Sequence, residues 1–186
     1  MDNLNLSFLK ENFNKTLHKT GKTNFILAIS GGIDSMLMLR IAMLIRNETS
    51  FSFRAIHVNH NHSSNAKEME NHCIDICHQN NLDLTLKNIK LSKHKNIENQ
   101  LRNKRYESLF NDMSEDEALV LGHHENDQFE TFLYRLFRGS SPKGLSAIKE
   151  ISIRNNKILC VDPLFNIYPY SYGKNIYKKL IPESLH

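Results

Sequence analysis

A parallel α/β sheet with helices on both faces is the fold class that this sequence predicts, and three observations carry it. Short β-rich apolar runs alternate along the chain with segments of helical length and period, the pattern that strand–helix–strand crossovers impose. The first such run, Phe25-Ile26-Leu27-Ala28-Ile29, stops at Ser30-Gly31-Gly32, and a helix-length apolar stretch opens just beyond it. The chain is also long enough for one such domain, since 186 residues bury roughly 70% of their unfolded surface.

Taken in order, residues 4–19 read as a short helix, 25–30 as a strand and 35–45 as a helix. Residues 51–58, FSFRAIHV, alternate and are β-rich, which makes them the second strand. Residues 66–80 then read as helix, 82–89 as strand, 97–112 as helix and 118–121 as strand. Residues 127–138 form a strongly periodic helix that Gly139 stops as the residue after its cap. No internal repeat and no Pro/Gly/Ser-rich linker interrupts this order. Ligands of such sheets sit beyond the carboxyl ends of the strands, and the unusual residues of this chain fall there.

Composition excludes several classes. Hydrophobic residues make up 40% and charged residues 24%, ordinary for a globular protein. No run of about 18 apolar residues could span a membrane. The first eleven residues lack a basic-then-apolar signal pattern, so the expected compartment is the cytoplasm. Three cysteines, Cys73, Cys77 and Cys160, are too few for a disulfide framework. A net charge of +4 and a pI near 8.9 lean toward anionic partners without naming one.

The Ser30-Gly31-Gly32-Ile33-Asp34-Ser35 turn supports two readings. Glycines permit positive φ and close approach of backbone to a ligand, and the amides of a helix N-terminus attract anions. Ser30 and Ser35 add hydroxyls for phosphate oxygens, and Asp34 could hold Mg²⁺ between them. Equally, the segment is a tight strand-to-helix turn with Asp34 or Ser35 as the N-cap. It is neither a Walker A loop nor a G-x-G-x-x-G fingerprint. Two histidine-rich strings, IHVNHNH with His57, His60 and His62 and GHHEND with His123 and His124, are expected to end strands and rim one cleft. With His72, His78, Cys73 and Cys77 they also offer metal ligands, yet no set has the spacing of a zinc motif.

Two helices carry further signals. In IENQLRNKRYESLF, Glu98, Arg102 and Arg105 share one face, and at about 100° per residue both arginines fall in the same arc as Leu101, Tyr106 and Leu109. Arginines on a half-buried face want anions, either Glu98 or a phosphate. In residues 127–138, Phe129, Phe132, Leu133, Leu136 and Phe137 form the apolar arc, opposite Asp127, Thr131, Tyr134, Arg135 and Arg138. Asp127 at that helix start reads as a first-turn acid favoured by the helix dipole or as a site carboxylate.

The SGGIDS string after a first strand resembles the pyrophosphate-binding loop of the N-type ATP pyrophosphatases. Four segments in order, SGGIDS, HVNH, the Glu98–Arg102–Arg105–Tyr106 string and HHENDQFET through RGS to KGLSAI, are similar to those of the tRNA(Ile)-lysidine synthetase family. This resemblance implies a three-layer nucleotide-binding domain of the adenine nucleotide alpha hydrolase-like type over residues 1–165, with 166–186 as a divergent tail. It implies ATP and Mg²⁺ as cofactors, with L-lysine and the tRNA(Ile) bearing a CAU anticodon as partners. ATP would adenylate the wobble cytidine, and the lysine amine would then displace AMP.

Carried onto this chain, the resemblance implies that Ser30, Gly31, Gly32, Ile33, Asp34, Ser35 and Val58 bind ATP. Asp34, Arg102, Arg105 and Asp127 would be catalytic, with Asp34 and Asp127 holding the metal. His123, His124 and Glu130 would line the base or lysine pocket, and tRNA backbone could run along Arg135 and Arg138. The sequence departs from the family at Asn126, where the first of two aspartates stands, and at Asp162, where an arginine stands. It is also expected to stop short of the family's Asp-x-Ser-Asn segment and later tRNA-binding domains. Two alternatives remain: another tRNA-modifying ATP pyrophosphatase such as a thiolase, whose cysteine-dependent type would show a Cys-x-x-Cys pair, and a catalytically impaired remnant.

Overall fold

The computed structural model describes residues 6–59, 65–89, 97–122, 151–154 and 156–161. Helix α1 (Leu6–His18) is followed by β1 (Asn24–Ile29), α2 (Ile33–Arg46), β2 (Ser52–Asn59), α3 (Ala66–Gln79), β3 (Leu84–Asn88), α4 (Ile97–Asp112), β4 (Glu117–Leu121), β5 (Ile151–Arg154) and β6 (Lys157–Val161). The strands form one sheet in the order β3-β2-β1-β4-β6-β5. All neighbouring pairs are parallel except β5 with β6. The expected parallel sheet is present, with one antiparallel strand added at its edge. Arg154 pairs with Lys157 across a two-residue connection, and Asn156 takes φ 60, the left-handed conformation that Asn tolerates in tight hairpins.

Each of the eight elements predicted from residue 4 through residue 121 is present, with ends that move by a few residues. The helix expected at 127–138 lies outside the described residues. No described helix is long and apolar enough to cross a membrane.

Alternation of side chains along the strands builds two cores. Phe25, Leu27 and Ile29 of β1, with Phe53 and Ala55 of β2 and Ala118 and Val120 of β4, face α1, α2 and α3. Ile26, Ala28, Ile56, Leu119 and Leu121 face the other way, onto Leu109, Phe110 and Met113 at the end of α4 and just beyond it. Right-handed crossovers explain the division. The chain adds β2 and β3 to one side of β1 through α2 and α3, then reverses to place β4 on the other side, and the reversal carries α4 to the opposite face. Strand β1 is thus the switch point, where a crevice opens beyond the carboxyl ends.

The opposite end of the sheet is pinned by charge. Arg54 of β2 donates from Nε to Glu117 Oε1 at 2.6 Å and from Nη2 to Oε2 at 2.9 Å, a bidentate pair that reaches across β1 to β4. Its Nη1 donates to Asp112 Oδ2 at 2.7 Å and Nη2 to the Asp112 carbonyl at 2.9 Å, tying in the end of α4. Lys87 reaches the second Asp112 oxygen at 2.7 Å. The Arg54 hydrogen bonds hold the Glu117 carboxyl below its ordinary range. Burial pulls Asp112 upward, but its bonds to Lys87 and Arg54 outweigh it and leave that carboxyl low as well.

Both groups have folded values below their ordinary ones. Their contribution is present in full above the ordinary values and is lost as pH falls through the lowered folded values. Urea unfolding midpoints are expected to drop as pH is lowered from about 5 to 3, and less steeply in Arg54→Met, which starts about 2 kcal/mol less stable at neutral pH. Parallel pH profiles for the two proteins would count against this account.

Candidate functional site

The turn after β1 is made by two glycines in different conformations. Gly31 takes φ +84, a region that costs a residue with a Cβ roughly 1–2 kcal/mol. Gly32, at φ −76 and ψ 158, is the extended N-cap of α2, and no side chain caps that end. The expectation that Asp34 or Ser35 caps the helix is corrected here: both lie inside it, and Asp34 occupies its first turn.

Ser35 is instead buried and serves the loop internally. Its hydroxyl donates to the Gly32 carbonyl at 2.8 Å and accepts the Ser30 N–H at 3.1 Å. The Ser30 and Ser35 oxygens lie 3.1 Å apart. Since the single Ser35 proton goes to Gly32, Ser30 is the donor in that contact, and Ser30 Oγ also accepts the Gly32 N–H at 3.3 Å. The first-turn amides of α2, which have no partner within a helix, point out of this frame and give it anion affinity.

Two neighbours pinch the loop. A Cβ on Gly31 would stand 3.1 Å from Met69 Cβ and 3.2 Å from the Met69 carbonyl in α3. A Cβ on Gly122, just past β4, would stand 3.2 Å from Ser35 Cα and 3.3 Å from its nitrogen. Beneath the loop lies a cavity of about 160 Å³ whose lining includes Ser30, Gly32, Val58, Asn59, Met69 and Arg105. Its floor is the apolar carboxyl end of β1 and β2, with Ala28, Ile56 and Leu109.

The two arginines of α4 separate. Arg105 lines the cavity beside Leu109, whereas Arg102 is exposed. The arc containing both was read correctly, but Arg102 lies about 10 Å along the axis from Leu109. Angular position on the helix therefore does not by itself fix burial. Val58 lines the cavity. His57 is buried, and its Nδ1–H donates to the Ile29 carbonyl at 2.9 Å, one residue before the loop. His60, His62, His123, His124, Asn126, Asp127, Glu130, Arg135, Arg138 and Asp162 lie outside the described residues.

Four residues that sequence reasoning did not single out also shape the site: Gly122, Met69, Asn59 and Glu70. Gly122 had a signal, a glycine directly after a buried strand, which marks close backbone approach. Glu70 had none. It is buried, accepts from Asn59 Nδ2 at 2.8 Å and from Lys67 Nζ at 2.6 Å. The Lys67 ammonium and the Asn59 amide hold its carboxyl below the usual range. Cys73 and Cys77, one and two turns further along α3, are buried thiols whose pKa burial pushes up to about 12 and about 11, which makes them poor nucleophiles.

Comparison with known proteins agrees with this geometry. The profile of the PP-loop domain matches residues 5–172. The chain belongs to the PP-loop domain family. Domains of this family use ATP.

Among curated relatives, the tRNA(Ile)-lysidine synthase of Buchnera aphidicola subsp. Schizaphis graminum is 44% identical over 135 residues, 72% of this chain and 30% of that protein. The enzyme of the same name from Buchnera aphidicola subsp. Baizongia pistaciae is 38% identical over 167 residues, 89% of this chain and 38% of that protein. The chain thus spans about a third of the length of these relatives. Among solved structures, the U34-tRNA thiolase NcsA from Methanococcus maripaludis matches with a TM-score of 0.66 at 14% identity, over 94% of this chain and 63% of that one. At that identity the likeness shows the fold alone, which is the adenine nucleotide alpha hydrolase-like sheet expected from the sequence.

The two loop glycines are expected to differ in tolerance. Gly31→Ala should lower the unfolding free energy by about 1–2 kcal/mol, because positive φ and the Met69 backbone both oppose a Cβ. Gly32→Ala should cost clearly less, since its φ is ordinary and its nearest neighbour is the Ser30 hydroxyl. Urea denaturation of both variants checks the order.

Proposed function

We propose that this chain is the ATP-using domain of a tRNA(Ile)-lysidine synthase, with residues 1–165 as the catalytic unit and 166–186 as a tail beyond it. One observation carries the reading. The uncapped N-terminus of α2 and the Gly31-Gly32 backbone stand over an apolar cavity that Arg105 borders, a cleft suited to a nucleotide with its phosphates at the loop. The family match and the names of the relatives support the same direction.

In this reading the O2 oxygen of the wobble cytidine in a CAU anticodon attacks the α-phosphorus of ATP. The bond to the β-phosphate bridging oxygen breaks, and pyrophosphate leaves. The ε-amine of L-lysine then attacks C2 of the base, and AMP departs with the former O2. Activation matters because an amide-like oxygen is a poor leaving group and AMP a good one.

The amides of Gly31 and of the first turn of α2 bind pyrophosphate oxygens, and the Ser30–Ser35 hydroxyl frame, which holds the Gly32 N–H, keeps them aligned. Val58 packs against the adenine. Arg105 neutralises charge as the α–β bond breaks, an electrostatic contribution, with Arg102 serving phosphate farther out. Asp34, half-buried in the first turn beside the loop, supplies a hard carboxylate oxygen of the kind Mg²⁺ takes in ones and twos alongside substrate phosphates. A Mg²⁺ held by Asp34 and Asp127 would offset phosphate charge. His123, His124 and Glu130 are assigned to the base or lysine pocket. A tRNA substrate places the reaction in the cytoplasm.

The decisive experiment follows AMP and pyrophosphate release from ATP by the purified protein with Mg²⁺, lysine and tRNA(Ile) bearing CAU. Release that requires that tRNA and disappears in Asp34→Ala is the expected result. Bound ATP with neither product under any tRNA condition would overturn the catalytic reading. Arg105→Ala should lower the rate of pyrophosphate release about 100-fold, and Arg102→Ala less, since only Arg105 borders the cavity.

A further inference from the structure

Glu70 is a buried carboxylate that no step of the proposed chemistry uses, and it is bonded to Asn59, which lines the cleft. Its position relative to the loop suggests a purpose. Among the described residues, α3 enters the hydrophobic core at Cys73, Ile76 and Cys77. One turn nearer the cleft its attachment to the sheet is polar: Glu70 Oε2 accepts from Asn59 Nδ2, at the last position of β2, at 2.8 Å. The preceding residue, Met69, lines the cavity and stands so close to Gly31 that a Cβ there would lie 3.1 Å from Met69 Cβ.

We infer that Asn59 and Glu70 form a clamp that positions the loop. By tying the first turns of α3 to the end of β2, the pair sets the height of Met69, and Met69 limits where the Gly31 backbone can lie. Asn59 and Glu70 are positioning residues, since they act on the nucleotide through Met69 and Gly31. Lys67 completes the carboxylate at 2.6 Å, but its own side chain is 75% exposed, so the Asn59 bond is the one shielded from water. The effect on nucleotide rests on the ATP reading of the cleft; the effect on loop order does not.

The pair permits a nearly isosteric exchange of donor and acceptor. Asn59→Asp sets two carboxylates face to face and removes the donor. Glu70→Gln keeps an oxygen that can accept from Asn59. Combining the two restores one amide–carboxylate bond with the roles reversed. The test is amide hydrogen exchange of residues 30–35, with a peptide from β4 as internal reference, together with ATP titration.

Asn59→Asp is expected to speed exchange at the loop about tenfold relative to β4 and to weaken ATP binding about tenfold, with the double variant within about threefold of wild type in both. Unchanged loop exchange in Asn59→Asp, equal acceleration in loop and β4, or no recovery in the double variant would each overturn the clamp. If wild type binds no ATP, the nucleotide reading fails by itself, and the exchange ratios still decide whether the pair orders the loop.

Discussion

The backbone between Ile29 and Ile33 has to turn from a buried strand into a helix in a space that two close contacts confine. On one side Met69 of α3 meets Gly31; on the other Gly122, past β4, meets the Ser35 backbone. These two contacts set where the N-terminus of α2 points, and the rest of the site follows. The helix begins without a side-chain cap, an end of the kind that attracts anions. Serines that look like phosphate donors do a different task first. Ser35 in particular is buried and locks the turn through the Gly32 carbonyl and the Ser30 amide.

Polar order is distributed at both ends of the sheet for different ends. Beyond the amino-terminal half, the Arg54–Glu117–Asp112–Lys87 network ties three strands and a helix together with charge-assisted bonds, the strong kind. At the carboxyl end, the bonds are neutral or singly charged and shorter in reach: His57 to the Ile29 carbonyl and Asn59 to Glu70. That arrangement leaves the stability of the sheet to one end and the shape of the cleft to the other. Substitutions near the cleft can therefore alter ligand geometry without dissolving the fold.

The two α4 arginines illustrate how a helical arc becomes a site. Periodicity put Arg102 and Arg105 on one face with Leu109, and that was right. Burial was invisible to it, because it depends on what the helix packs against. Arg105 borders the cavity, while Arg102 is exposed.

From the sequence alone came the element order through β4 and the parallel class of sheet, and the resemblance of four segments pointed to the family. The first two follow from local properties: alternation along strands and a period of 3.6 along helices. The antiparallel β5–β6 edge, the N-cap at Gly32, and the parts played by Gly122, Met69, Asn59 and Glu70 required tertiary structure. Each depends on a distance between segments far apart in the chain: Gly122 against Ser35, Met69 against Gly31, Glu70 against Asn59. A sequence states which residue types are present near a turn; the space left for a Cβ, and the partner that fills a buried carboxylate, exist only once the helices are packed on the sheet.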